Sequence, residues 1–214
     1  MQSPGMAGPM GQRRVQLSAK RALDSIAAAA ALLAFAPLFV VTALAIVISA
    51  PGPVFFPQIR EGYRGQRFVM WKFRSMRVVH NSEIAAEQRS AATEGRLIKL
   101  QKDPRVTSVG RFIRATSIDE LPQLFNVLKG EMSLVGPRPL VPFMLEPYPE
   151  FREVRALMRP GITGLWQIRD RENNTSALSM MPHDLEYISK FSLALDAAIL
   201  IHTLRAVLSH KGAC

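Results

Sequence analysis

An almost uninterrupted apolar run fills residues 26 to 50. At a rise of about 1.5 Å per residue a helix of that length reaches across a hydrocarbon core about 30 Å thick. A secretory signal fits less well, because the run exceeds the usual apolar region and Ala50-Pro51-Gly52 resembles a turn more than a cleavage site. Pro37 falls near the middle and has no N–H to give the backbone ladder, so it divides the run into two arms of about half a bilayer each. Basic residues stand on both sides, Arg13, Arg14, Lys20 and Arg21 before and Arg60, Arg64 and Arg67 after, so the charge rule sets no orientation. A helix that enters, bends at Pro37 and leaves by the same face accounts for both the break and the charges. A kinked spanning helix is the alternative.

Residues 1 to 12, rich in Gly, Pro, Met and Gln without an apolar period, read as a disordered tail. Residues 13 to 52 then form the membrane-anchoring segment, and residues 53 to 214 suit one domain of ordinary size. The net charge of +10 implies an anionic partner: nucleic acid, anionic lipid or nucleotide-sugar phosphate. Aromatic content is 7% and no basic run is interleaved with aromatics, which argues against nucleic acid. The single cysteine, Cys214, excludes an internal disulfide and a cysteine-held zinc. His80, His183, His202 and His210 are far apart in sequence, so oxygen ligands and Mg²⁺ are the better expectation for a metal.

The densest chemistry lies in residues 114 to 139, RATSIDELPQLFNVLKGEMSLVGPRP. Ser117-x-x-Glu120 fits a capping box, and the acids Asp119 and Glu120 would suit the positive end of a helix. Pro122 must sit in a first turn or at a bend, which sets the acidic pair at a helix start. Carboxylates beside free N–H groups can share a site with phosphate when a divalent cation lies between them. Arg111 and Arg114 precede the pair and Arg138 follows it in Gly136-Pro137-Arg138-Pro139; guanidinium forks suit phosphate oxygens, and a structural cap needs none. The combination points to phosphoryl chemistry.

Around this centre, two β-rich runs flanking Glu61-Gly62-Tyr63-Arg64-Gly65 predict a hairpin. Lys72 and Arg74 alternate with Phe73 on its second arm and so could face one anion, or form a solvated basic edge. Residues 77 to 100 read as a polar surface helix and loop. Residues 159 to 167, RPGITGLWQ, read as a tight turn whose glycines either admit a ligand or shape a structural loop. The final stretch, residues 184 to 210, predicts one helix with Leu185, Ile188, Phe191, Leu195 and Ile199 on a stripe, suited to a membrane surface or a buried core.

KFRSM at 72 to 76, RFIRATSIDELPQLFNVLKGEMSLVGPRP at 111 to 139, RPGITGLWQ at 159 to 167, and the closing pattern of Asp184, Tyr187, Ser192, Asp196 and Gly212 together resemble the bacterial sugar transferase family, the monotopic phosphoglycosyl transferases, in a small minimal form. The resemblance covers nearly all of the chain after about residue 14. It implies an α+β, predominantly helical fold, with a re-entrant helix broken at Pro37, a small β-hairpin, and a compact cytosolic helical catalytic domain with interfacial amphipathic helices. It also implies transfer of a sugar-1-phosphate from a UDP-sugar to a polyprenyl phosphate, with release of UMP, as a first membrane step of glycan assembly. Asp119 would be the nucleophile, Glu120 would hold Mg²⁺, and Lys72, Arg114, Arg138 and Arg171 would clamp phosphate oxygens. The expected location is the bacterial inner membrane with the catalytic domain on the cytoplasmic face; a homo-oligomer is left open. A metal-dependent glycosyl transferase releasing UDP and a non-enzymatic basic membrane scaffold are the competing readings.

Overall fold

The computed structural model describes residues 10 to 78, 103 to 170 and 177 to 208. The polar stretch expected within 77 to 100 falls almost wholly outside these, as do His80, His210, Arg171 and Gly212. The class is the expected one, mostly helical with little sheet. Helix α1 (Met10–Ala34) already includes residues 10 to 12, which corrects the reading of those three as tail. It meets α2 (Ala36–Ser49) at a 61° bend. The break falls at Phe35, and Pro37 sits in the first turn of α2, where its missing N–H costs nothing. Among the described residues no single helix is long and apolar enough to cross a membrane, but this bent pair passes that test by length and composition.

Both ends of the bent pair are tied to the same body. Near the start of α1, Lys20 Nζ donates to Asp196 Oδ2 at 2.6 Å, Asp24 Oδ2 accepts from Ser133 Oγ at 2.6 Å, and Arg21 reaches the carbonyls of Val127 and Leu128. At the end of α2, Arg74 donates to the carbonyls of Ala50 and Pro51, each at 2.6 Å. That contact corrects the pairing of Arg74 with Lys72: the strand ends at Phe73, and the buried Arg74 holds the last turn of α2 instead of facing an anion.

The expected hairpin forms from β1 (Phe55–Glu61) and β2 (Arg67–Phe73), antiparallel with Phe56 opposite Lys72. Then follow α3 (Ser108–Ala115), a 3₁₀ turn (Ile118–Glu120) and α4 (Gln123–Lys129). Asn126, fully buried, fixes α4 to β2: its Oδ1 accepts from Trp71 N at 3.1 Å, and its Nδ2 donates to Val69 O and Glu131 Oε2, each at 2.7 Å. A buried amide with its groups partnered specifies one register where an apolar side chain would allow several. Gly130, at φ 83°, ends α4 in the left-handed conformation.

A second, parallel pair joins β3 (Ser133–Val135) to β4 (Gly161–Thr163). Residues 161 to 163, expected as loop, are therefore strand. A Cβ on Gly161 would lie 2.1 Å from Gly136 N, and one on Gly164 2.2 Å from Gly136 O. These glycines admit the neighbouring strand's backbone, not a ligand. The remaining helices are α5 (Pro149–Arg155), α6 (Leu165–Arg169), α7 (Ala177–Ser189) and α8 (Leu193–Leu208). The single closing helix expected from 184 onward is thus two, parted at residues 190 to 192, where Ser192 Oγ accepts from Leu195 N at 3.1 Å and opens α8. Its stripe is buried in part: Ile188 and Ile199 join Val135, Leu165 and Tyr187 in one cluster, with Phe191 and Leu195 against it.

Candidate active site

Asp119 and Glu120 occupy the 3₁₀ turn between α3 and α4, which agrees with a helix-start position. The capping box does not form. Ser117 is in the left-handed region at φ 57°, its side chain makes no cap hydrogen bond, and Pro122 is the residue that precedes α4. This kink after α3 turns the acidic pair towards β2 instead of along α4.

Lys72 Nζ donates to Glu120 Oε1 at 2.7 Å, from a residue 48 positions away in the chain. Arg138 Nη2 stands 3.7 Å from the same oxygen. Burial pushes the Asp119 carboxyl up, to about 6, and Glu120 adds to that shift; Lys72, Arg114 and Arg138 oppose it. Of the five described candidates, Lys72 and Arg138 thus stand against Glu120, and these three with Arg114 act electrostatically on Asp119. Arg111 is exposed on α3 and takes no part in these contacts among the described residues.

Three residues that local sequence patterns did not single out shape the site. Arg60 on β1 donates to the carbonyl of Pro139 at 3.0 Å and to Gln58 Oε1 at 2.6 Å. Burial, then the charge of Arg138, pulls its guanidinium down to about 10, against the pull of Glu120. Arg155, paired with the buried Asp184, donates to the carbonyl of Arg138. Arginines thus grip the backbone on both sides of the Arg138–Pro139 peptide, while the guanidinium of Arg138 lies 5.6 Å over the ring of Trp166. Buried Asn126 is the third, since it sets β2, and with it Lys72, against the acidic turn. The one sequence signal was an amide in the middle of an apolar helical pattern.

Among the described residues no group of three or more His, Cys, Asp or Glu comes together to hold a metal. The donor set is two adjacent carboxylates. That fits Mg²⁺, which commonly takes one or two carboxylates and completes its octahedron with substrate phosphates and water. Chemically, the site offers a partly buried carboxylate whose charged form Lys72, Arg114 and Arg138 favour, suited to act as a nucleophile on an anionic phosphorus centre or as a ligand to a cation.

The structure thus gathers two adjacent carboxylates with Lys72 and Arg138 in a body that also fastens a bent, apolar helix pair, an arrangement suited to a group transferase. The chain belongs to the bacterial sugar transferase family, whose model matches residues 15–210. It is 43% identical over 199 residues to the exopolysaccharide production protein ExoY of Rhizobium meliloti, covering 91% of this chain and 87% of that protein. It is 40% identical over 215 residues to a UDP-glucose:undecaprenyl-phosphate glucose-1-phosphate transferase of Caulobacter vibrioides, covering 96% and 75%. With the protein of that name from Escherichia coli K12 it shares 42% identity over 201 residues, 91% of this chain but 41% of the relative.

Proposed function

We propose that the protein transfers a sugar-1-phosphate from a UDP-sugar to a polyprenyl phosphate, releasing UMP. The observation that carries this reading is the setting of the acidic turn: Lys72 Nζ at 2.7 Å and Arg138 Nη2 at 3.7 Å from Glu120, beside an Asp119 carboxyl that burial raises to about 6 against the pull of Lys72, Arg114 and Arg138. Such a group is ionised at neutral pH, poorly solvated and faced by cations that can neutralise an incoming diphosphate. The names of the relatives, undecaprenyl-phosphate sugar phosphotransferases among them, support the same substrates.

In the first step an Asp119 carboxylate oxygen attacks the phosphorus that bears the sugar. The new bond is an acyl phosphate; the bond to the bridging oxygen breaks, and UMP leaves with that oxygen. In the second step an oxygen of the polyprenyl phosphate attacks the same phosphorus and the acyl phosphate bond breaks, which frees Asp119 and leaves a polyprenyl-diphosphate sugar. Lys72, Arg114 and Arg138 hold phosphate oxygens and stabilise the charge that builds on them in each transfer. Glu120 positions Lys72 and, with the substrate phosphates, would hold Mg²⁺; the cation would supply further charge neutralisation when bound. Arg171, outside the described residues, is proposed as a further phosphate contact.

The anchor supports a site at a bilayer surface. Leu33, beside the bend, and Ile48, at the far end of α2, are 80% and 84% exposed, more apolar surface than water tolerates in a run of this kind. Because both ends of the pair are bound to one compact body, the helices would enter and leave by one face, in the cytoplasmic leaflet of the inner membrane. Residues 13 to 52 would be that anchor, 53 to 214 the catalytic domain.

The test uses protein, Mg²⁺ and UDP-glucose or UDP-galactose without lipid, with mass spectrometry of the intact chain and of its peptides. A hexose-phosphate adduct on the peptide holding Asp119, together with UMP, is expected. Release of UDP would support direct sugar transfer, and lipid-linked product from an unmodified enzyme or from Asp119→Asn would overturn the two-step course. A basic scaffold would give no nucleotide at all.

A further inference from the structure

Beside the acidic turn lies an open cleft of about 260 Å³ whose mouth is made by Ser117, Glu120 and Arg138. Its other walls are mostly aliphatic: Leu121 and Leu124 around the start of α4, Leu134 of β3, Ile162 of β4, and Leu200, Leu204 and Val207 of α8. The polar side chains of the walls are engaged within the protein. Thr163 and Thr203 hydroxyls bond each other at 2.7 Å, Thr203 also donates to Ile199 O at 2.8 Å, and Gln167 Nε2 donates to Ile162 O at 2.9 Å while its Oε1, without a partner, is buried away from solvent. What remains along the length of the cleft is hydrocarbon, with one charged end.

The cleft is also continuous with the anchor. Leu121, Leu124, Leu134 and Ile162 belong to the cluster that seats Ala28, Ala31 and Leu32 of α1. On the far wall Leu204, 63% exposed, carries the apolar surface out of the cleft along α8. A ligand that satisfies such a cleft has an anionic head for Arg138 and an unbranched or lightly branched hydrocarbon body for the walls. A nucleotide would leave its base and ribose polar groups unmatched over most of the cleft.

We propose that this cleft takes the first isoprene units of the lipid acceptor, with the phosphate at Arg138 and the chain running between α4 and α8, past Leu200 and Leu204, towards the bilayer. This rests on the reaction proposed above and adds to it where the acceptor lies. The donor and the acceptor would then share only the phosphate-binding end, where Asp119 alternates between them.

The experiment is photolabelling of the full chain in detergent with a farnesyl phosphate carrying a diazirine on its second isoprene unit, followed by peptide mapping. Label is expected on the segment 199 to 207, suppressed strongly by unlabelled undecaprenyl phosphate and only weakly by UMP, which competes for the phosphate end alone. Leu204→Gln, an exposed position whose change leaves the core intact, should cut the label about tenfold. It should also raise KM for the polyprenyl phosphate by a similar factor while leaving lipid-free UMP formation at the wild-type level. Ile201→Gln, exposed on the same helix but outside the cleft, should change neither. Suppression by UMP alone, or a Leu204→Gln effect confined to KM for the UDP-sugar, would assign the cleft to the donor and overturn the proposal; so would label scattered over the anchor with none on α8. Failure of the underlying reaction reads out separately, as wild-type protein that releases no UMP.

Discussion

Lys72 and Glu120 form an ion pair of 2.7 Å that joins the second hairpin strand to the 3₁₀ turn carrying the acidic residues. Lys72 is also the largest influence holding the Asp119 carboxyl down against the upward push of burial. One ammonium therefore orients the neighbouring acid and keeps the proposed nucleophile ionised.

Replacing Lys72 with Met should lower kcat by about 10²-fold or more, because a preorganised cation is lost from the charge that builds in transfer. The acid limb of the pH–rate profile should also move to higher pH, since removal of Lys72 lets the Asp119 carboxyl rise above about 6. UMP release measured from pH 5 to 9 checks both. An unshifted acid limb would separate Lys72 from Asp119.

In the wild type, activity should fall as pH drops through about 6, the value to which burial raises Asp119. The stability consequence has the opposite sense. A carboxyl whose folded value is raised binds a proton more tightly in the folded state, so its contribution is full below the unfolded value and is lost as pH rises through about 6. Asp119→Asn should therefore abolish turnover yet stabilise the fold at pH 7.5 by about 1–2 kcal/mol, allowing for solvent screening. That advantage should shrink towards pH 4. Thermal unfolding of both proteins at the two pH values measures it.

Ser117 at φ 57° with no cap bond sets a different expectation from a capping serine. Ser117→Ala should stay within about 0.5 kcal/mol of wild type, and Ser117→Gly should be no less stable, because glycine removes a left-handed strain of about 1 kcal/mol. A lost cap would instead cost about 1 kcal/mol in the alanine variant and only a few tenths in the glycine. Chemical denaturation of the pair distinguishes the two.

The anchor should detach when the Lys20–Asp196 pair is broken. Both side chains are buried, Asp196 also accepts from Tyr187 at 2.7 Å, and Lys20 lies 3.5 Å from Asp24. Lys20→Met leaves two buried carboxylates uncompensated and should cost about 3–5 kcal/mol. Lys20→Met with Asp196→Leu should recover part of that loss, because Asp24 stays without its lysine. Urea unfolding in detergent reads both, and equal losses in the single and the double variant would exclude the pair as the fastening point.

Residue order along the chain was enough to establish the bent apolar pair, the hairpin, the helix-start position of Asp119 and Glu120, and membership of a family. Each is encoded within a few dozen contiguous residues, as apolar length, turn residues or an ordered motif. Folding in three dimensions decided which partners those residues acquire. Arg74 left the anion site for the end of α2, Gly161 and Gly164 proved to face Gly136, Ser117 turned left-handed, and Arg60, Asn126 and Arg155 became supports for Lys72 and Arg138. Local periodicity reports which way a side chain leaves its own backbone; the charge or carbonyl that meets it comes from a distant segment, as Glu120 does for Lys72 and Asp196 for Lys20, and only packing brings those segments together.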